Sequence, residues 1–186
     1  LSAERLGVFV HNGRERRIER RLVAAEVKQP DGSLAIEQRE YEETPLGPVI
    51  HRTADRLFVL RSINLEWWRQ YEGFFELLHA RSLAEFRRTL GRGLAVTSNY
   101  TYADVDGNIL YAWNARLPRR PDPELDYAVD VPGETRRLFW KGIHRATDLP
   151  LLLNPKGGNI QNANNPPWWT SLRDPLDPAS YPSYIE

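Results

Sequence analysis

The sequence predicts an α+β fold, in which an antiparallel sheet is accompanied by helices at about residues 64–91. Short apolar segments separated by turn residues fill residues 1–63, which is typical of β-hairpins. Aromatic residues at helical spacing follow, and residues 94–115 return to strand alternation around an Asp-Gly turn. We therefore treat 1–186 as a single piece that ends in a Pro/Asn-rich excursion over 116–186, with short helical turns.

Two turn signals organise the β-rich part. The Asn-Gly pair in His11-Asn12-Gly13 predicts a tight hairpin after the short strand Val8–Val10. Residues 14–28 run to a second turn at Pro30-Asp31-Gly32, after which residues 33–43 return. Residues 56–63 form another predicted strand.

The second hairpin has opposite charge on its two strands. Segment 14–21 is rich in arginine and segment 34–43 is rich in glutamate, so cross-strand ion pairs are expected to stabilise the ribbon. A loop at Asp31-Gly32 predicts that Arg21 lies near Glu42 and Arg20 near Glu43. A nucleic-acid surface on 14–21 is the alternative, and it is disfavoured because the acidic strand cancels the positive field.

Two helices are predicted between the β regions. Asn64 is a candidate N-cap for the first helix. Its apolar residues have helical spacing and are expected to be core rather than a ligand box: Trp67, Tyr71, Phe74, Phe75 and Leu78. Ser82 and Glu85 form a capping-box pattern for the second helix, which should end near Gly91.

The predicted strand 94–103 offers the most informative candidate site residue. Side chains alternate across a strand, so Thr97, Asn99 and Thr101 share a small, polar face. An amide on such a face can donate a hydrogen bond to a developing oxyanion. The residues alone favour the alternative, an asparagine that satisfies backbone groups within a packed sheet.

Several chemistries are disfavoured by composition and spacing. There is no cysteine, and the 4 histidines have no metal-binding spacing. Asp104, Asp106 and Asn108 resemble the start of a calcium loop, but the later ligands do not fit and an Asp-Gly turn is favoured. No nucleophile elbow or phosphate-binding loop is present. The 25 basic and 25 acidic residues balance, and no apolar run reaches membrane-spanning length, so we expect neither nucleic acid nor membrane as partner.

The asparagine-rich stretch 154–165 admits two interpretations. Its amides are expected to hydrogen-bond the backbone of a buried loop, with direct substrate contact as the alternative. Trp168 and Trp169 are expected to pin this loop to the body of the protein, and a sugar-stacking platform is the competing reading.

Four blocks in order resemble the β subunit of the penicillin acylase family. They are Leu1-Ser-Ala-Glu with Gly7 and His11-Asn12-Gly13; Thr44-Pro-Leu-Gly-Pro-Val-Ile50; Asn99-Tyr-Thr-Tyr-Ala-Asp104 with Asp106-Gly-Asn-Ile109, Tyr111 and Leu117-Pro-Arg-Arg120; and Asn154-Pro with Asn162-Ala-Asn-Asn-Pro-Pro-Trp168. Leu46 departs from the pattern, where the family often has His before Gly. The last block is most similar to the homoserine-lactone and lipopeptide acylase branch.

The resemblance implies an N-terminal nucleophile hydrolase with a four-layered αββα fold. In that family an N-terminal serine attacks an amide and uses its own α-amine as base. The serine would lie upstream of Leu1, so we expect the isolated chain to be inactive. Asn99 matches the family's oxyanion-hole asparagine, and Arg120 matches an arginine that orients it.

The resemblance also implies partners and a location. The substrate would be a small-molecule acyl amide, the protein partner would be the remainder of an α/β acylase heterodimer, and the location would be periplasmic or secreted. No cofactor is required; structural calcium belongs to the complete family enzyme, and we place no ligand here. The sequence contains no methionine, so we expect a processed product or an excised piece. A β-rich binding or structural module without catalysis is the alternative function.

Overall fold

The computed structural model describes residues 7–63, 65, 67, 69–93 and 97–185. The chain divides into two compact units: unit 1 comprises residues up to 65 together with Tyr127–Phe139, and unit 2 comprises 66–126 together with 140–186. The predicted organisation as a single piece stays a prediction.

Unit 1 is built from antiparallel strands around a small core. Its strands are β1 (Val8–His11), β2 (Arg14–Arg17), β3 (Glu19–Lys28), β4 (Leu34–Thr44), β5 (Gly47–Arg52) and β6 (Leu57–Val59). The first two strands form one sheet, and the other four form a second sheet in chain order. Phe9, Ile18 and Leu57 are buried together as the core of this unit. The predicted strand over 56–63 is therefore shorter than expected, and β5 was not predicted.

The β3–β4 ribbon is shifted by one residue from the predicted register. Arg20 lies opposite Glu42, and Arg21 lies opposite Tyr41, because the loop extends over residues 29–33. Cross-strand ion pairs are present, but their partners are exchanged relative to the prediction, and residues 14–17 of the basic segment pair with β1 and not with β4. Arg20 Nε lies 3.5 Å from a carboxylate oxygen of Glu42, and Arg21 Nε lies 2.9 Å from one of Glu43.

The turn after β1 joins the two segments of unit 1. His11 is buried; its Nδ1 donates to the carbonyl of Gly133 at 2.8 Å, and its Nε2 accepts from Asn12 Nδ2 at 3.0 Å. The Asn12 backbone N–H donates to the Glu134 carbonyl at 2.6 Å, and Asn12 Oδ1 accepts from the Arg136 N–H at 3.0 Å. The residues that predicted the hairpin turn therefore also hydrogen-bond the distant segment 133–136.

The turn between β4 and β5 requires glycine at position 47. Gly47 has φ of +137°, and a Cβ there would lie 2.1 Å from the carbonyl oxygen of Leu60. The Thr44 hydroxyl donates to the Gly47 carbonyl at 3.0 Å and accepts from the Leu46 N–H at 3.1 Å. The backbone conformation and the close approach of a neighbouring chain segment both exclude a side chain.

Unit 2 combines two helices with a three-stranded antiparallel sheet. Its elements are α1 (Gln70–His79), α2 (Leu83–Gly91), β7 (Ser98–Ala103), β8 (Ile109–Asn114) and β9 (Leu151–Leu153). The strand order is β7-β8-β9. The proline-rich excursion contains short 3₁₀ turns as expected, three of them in unit 2 and one, Arg136–Leu138, in unit 1. Strand β9 was not predicted. No helix in the described part of the chain has the length and apolar character needed to cross a bilayer.

The second predicted helix is confirmed, whereas the first begins later than expected. The Ser82 hydroxyl accepts from the Glu85 N–H at 3.2 Å, and α2 ends at Gly91. Helix α1 begins at Gln70 after Arg69, whose side chain makes no cap. The predicted N-cap, Asn64, lies outside the described residues.

The predicted burial of the apolar stripe is wrong for its residues on α1, whereas Trp67, which precedes the helix, is half-buried. Tyr71 is 73% exposed, Phe75 is 65% exposed and Leu78 is 83% exposed. Helix α1 instead buries Gly73 and packs Leu77 against the core cluster, so a different helical stripe contacts the rest of unit 2. Helical spacing identifies an apolar stripe without saying which neighbour covers it.

Replacing Gly47 by alanine should destabilise unit 1 by about 3 kcal/mol or more, because strain at positive φ adds to the clash with the Leu60 carbonyl. Gly32→Ala is the matched control, since Gly32 has φ of +88° and no atom within 4 Å of its Cβ position. It should cost only about 1–2 kcal/mol. Urea unfolding followed by far-UV circular dichroism measures both, and equal costs would contradict the clash.

The exposed stripe of α1 should promote self-association of this chain, because a contiguous apolar surface is unfavourable in water. Replacing Tyr71 and Leu78 together by glutamate should roughly halve the binding of an apolar fluorescent dye and lower the average mass in light scattering. Val105→Glu adds charge at a separate, fully exposed turn residue and should change neither measurement. If the double variant associates as strongly as the parent chain, the α1 stripe is not the cause of self-association.

Candidate active site

The β7–β8 hairpin presents two chemically different faces. Tyr100 and Tyr102 pack with Leu110 and Ala112 against the cluster that contains helix α2. Asn99 and the other odd-numbered residues of β7 point away from that cluster because side chains alternate. Asn99 is half-buried on this second face, as its strand position predicts.

A short hydrogen bond holds the side chain of Asn99. The hydroxyl of Tyr111 donates to Asn99 Oδ1 at 2.6 Å. The two residues reach each other diagonally, since Asn99 lies opposite Trp113 and Thr101 lies opposite Tyr111. Among the described residues, Asn99 Nδ2 has no hydrogen-bond partner, so it is available as a donor.

The environment of Tyr111 keeps its phenol protonated. The side chain is fully buried, and burial raises the pKa of Tyr111 to about 12. The buried hydroxyl of Thr170 opposes this rise in the pKa of Tyr111. No role was predicted for Tyr111, although the register set by the Asp-Gly turn would have placed it beside Asn99.

The turn between β7 and β8 is the predicted Asp-Gly turn. Asp104 Oδ1 accepts from the backbone N–H groups of Asp106 and Asn108, at 3.1 and 2.9 Å, and hydrogen bonds from Asn108 lower the pKa of Asp104. Asn154 Oδ1 accepts from the Ile109 N–H at 2.8 Å. The block that contains Asp104 and the block that begins at Asn154 therefore meet at this turn.

Arg120, the second predicted site residue, lies against a tyrosine near the end of the chain. Its guanidinium carbon is 4.4 Å from the ring centre of Tyr184. The Tyr184 hydroxyl donates to the Pro118 carbonyl at 3.1 Å, so it accepts from His144 Nε2 at 2.8 Å. Asn99 is thus linked to Tyr111 and Arg120 to Tyr184, and the orientation of Asn99 by Arg120 stays a prediction.

The asparagine-rich loop is bound by its own amides. Asn162 Nδ2 donates to the Asn165 carbonyl at 3.2 Å, and Gln161 Nε2 donates to the Trp169 carbonyl at 2.5 Å. The side chains are exposed or half-buried, so the loop is less buried than expected. Trp168 packs on a core cluster as predicted, whereas Trp169 is 59% exposed and does not pin the loop.

Unit 2 also contains a cleft on the other side of the β8 strand from Tyr111, lined in part by α2. The described residues contain no group of three or more His, Asp or Glu side chains placed to hold a metal ion. The cleft, of about 330 Å³, lies between α2, β8 and residues 146–151, and Asn99 does not line it. Asn114 lines this cleft, and its buried Nδ2 has no partner among the described residues.

Comparison with known proteins gives consistent matches along nearly the whole chain. The penicillin amidase family model matches residues 3–186. The chain is 42% identical to penicillin G acylase from Escherichia coli over 76 residues, which is 39% of this chain and 8% of that protein. It is 26% identical to the acyl-homoserine lactone acylase PvdQ from Pseudomonas putida over 90% of this chain and 25% of that protein.

A solved structure agrees with these sequence matches. Thermostable penicillin G acylase from Alcaligenes faecalis matches with a TM-score of 0.75 and 26% identity, over 88% of this chain and 29% of that chain. The predicted fold class, an α+β piece of an N-terminal nucleophile hydrolase, is thereby confirmed. The chain spans a quarter or less of the two curated relatives named above. Since the family model covers nearly all of its residues, the chain belongs to the penicillin amidase family.

Proposed function

We propose that this chain is part of an amidohydrolase that cleaves the acyl group from an N-acylated small molecule. The observation that carries the proposal is the geometry of Asn99, whose Oδ1 accepts from Tyr111 while its Nδ2, on the face opposite the helices, has no partner among the described residues. A neutral amide donor fixed in this way suits an oxyanion, because it stabilises negative charge that develops only during the reaction.

The nucleophile of the proposed reaction is supplied from outside these 186 residues. We assign that role to the N-terminal serine of an acylase β subunit, with the remainder of the heterodimer as protein partner. The named relatives act on penicillin G and on acyl-homoserine lactones. A β-lactam, an acyl-homoserine lactone or a lipopeptide is therefore the proposed substrate class.

Arg120 is proposed to orient Asn99 and the substrate. The ring of Tyr184 restrains its guanidinium by stacking, and the Arg120 backbone N–H donates weakly to the Tyr184 hydroxyl at 3.4 Å. Arginine suits this role because its planar group stays charged and has several donors in fixed directions.

Asn99→Ala in the complete enzyme should lower kcat by roughly 10²–10³-fold and change KM less, because the lost hydrogen bond strengthens in the transition state. Asn99→Asp should be at least as damaging, since it places a negative charge where negative charge develops. Steady-state kinetics with a chromogenic acyl amide measures both variants. The mass of the β subunit must first show that the precursor was cut correctly, because self-cleavage also forms an oxyanion.

Asn108→Ala is the matched control for the loss of an amide from the same hairpin. Asn108 Nδ2 donates to Asp104 at 2.9 Å within the turn, so its removal should reduce stability while kcat stays near that of the parent enzyme. If Asn99→Ala and Asn108→Ala reduce kcat equally, Asn99 has a structural role and the proposal fails.

His144 hydrogen-bonds Tyr184, the residue on which Arg120 stacks, and its titration should make the stability of unit 2 depend on pH. Burial lowers the pKa of His144 below its ordinary value of 6.5, with a smaller lowering by Arg119 and an opposing effect of Asp148. A histidine with a depressed folded-state pKa stabilises the fold fully above pH 6.5 and loses that contribution as the pH falls through the folded-state value. The free energy of unfolding should therefore decrease between pH 7.5 and about 5.5.

His144→Gln should flatten this pH dependence, because glutamine keeps a neutral donor for the Tyr184 hydroxyl and does not titrate. Urea unfolding followed by tryptophan fluorescence is the appropriate measurement, since all 6 tryptophans lie in residues assigned to unit 2. Parallel pH dependence in the parent chain and in His144→Gln would show that His144 is not responsible.

A further inference from the structure

The Tyr111 hydrogen bond decides which end of the Asn99 amide is available. An asparagine amide has an accepting oxygen and a donating nitrogen at almost the same distance from Cβ, and a half-turn exchanges them. Only the orientation with Nδ2 outward stabilises an oxyanion, because an outward Oδ1 repels it. The hydrogen bond from Tyr111 to Asn99 Oδ1 therefore does more than stabilise the hairpin, because it selects the orientation in which Asn99 can donate to an oxyanion.

The surroundings of the phenol favour donation to Asn99. Tyr111 is fully buried within the sheet, with Leu152 of β9 opposite it, and its elevated pKa keeps the proton on the oxygen. A buried hydroxyl without an acceptor is costly, and Asn99 Oδ1 is the acceptor that the structure provides at 2.6 Å. The opposite amide orientation would leave the phenolic proton facing the donor Nδ2.

We propose that Tyr111 is a positioning residue that holds the Asn99 amide with its nitrogen toward the oxyanion. The inference rests on the proposed function, because it assigns the partner of the proposed oxyanion donor. It adds a third residue to Asn99 and Arg120 in that site, and this residue acts through Asn99.

The test is Tyr111→Phe in the complete, correctly processed enzyme. This change removes only the hydroxyl, so the amide loses its preferred orientation, and kcat should fall roughly 3- to 10-fold with little change in KM. Tyr102→Phe is the matched control, because it removes a hydroxyl from the same hairpin that donates to Asp104 at 3.0 Å. It should leave kcat unchanged.

A double-variant cycle separates positioning from general destabilisation. Once Asn99 is alanine, Tyr111 has no amide to orient, so Asn99→Ala with Tyr111→Phe should be no slower than Asn99→Ala alone. If the double variant instead shows a loss of kcat equal to the product of the two single losses, the inference is overturned. A large loss in Asn99→Ala with unchanged kcat in Tyr111→Phe would overturn only the inference, whereas an active Asn99→Ala enzyme would overturn the proposed function as well.

A fluorinated tyrosine at position 111 provides a test that keeps the shape of the side chain, including the case in which Tyr111→Phe does not fold. Fluorine lowers the pKa of a phenol, and a phenolate cannot donate to Asn99 Oδ1. We expect kcat of this variant to decline at a lower pH than kcat of the parent enzyme. Identical pH profiles, with the fluorophenol shown to ionise by its absorbance, would overturn the inference.

Discussion

The alternation of side chains across the β7–β8 hairpin is the constraint on which the rest of unit 2 depends. Leu110 and Ala112 pack toward α2, so the residue between them, Tyr111, must face the other way. The same rule places Asn99 on the face of Tyr111. A shift of one residue in this pairing would bury Asn99 among apolar side chains and expose the core, so packing energy fixes the geometry of the candidate site.

Local rules predicted the parts of the fold that local interactions determine. The Ser82 cap, the end of α2 and the Asp-Gly turn follow from short-range backbone chemistry. The β3–β4 register was missed because loop length, which turn residues alone do not fix, decides it. The exposure of Phe75 and the pairing of β9 were missed because both depend on which distant segment lies beside them. Asn99 was identified by a resemblance, while its partner Tyr111 required the strand register.

The shared blocks of the family include structural as well as chemical positions. Gly47 is required because the Leu60 carbonyl occupies the space of a side chain. Asn154 joins the β9 end to the start of β8 by accepting from the Ile109 N–H. Neither Gly47 nor Asn154 has a proposed role in the reaction. Each one fixes the backbone of its own part of the fold. Similarity at such positions therefore supports a common fold, whereas the proposed chemistry concerns Asn99, Arg120 and Tyr111.

The turn after β1 also governs when unit 1 can be completed during synthesis. Asn12 and Arg136 are separated by 124 positions in the chain. At roughly 5–20 residues per second, a ribosome needs about 6–25 s to cover that interval. The ring of His11 and the amide of Asn12 cannot form their hydrogen bonds to Gly133 and Arg136 during this time, in which residues 66–126 of unit 2 are made. Strand β1 is consequently made long before the residues that hold its turn, so completion of unit 1 depends on contacts that are distant in sequence and slow to form.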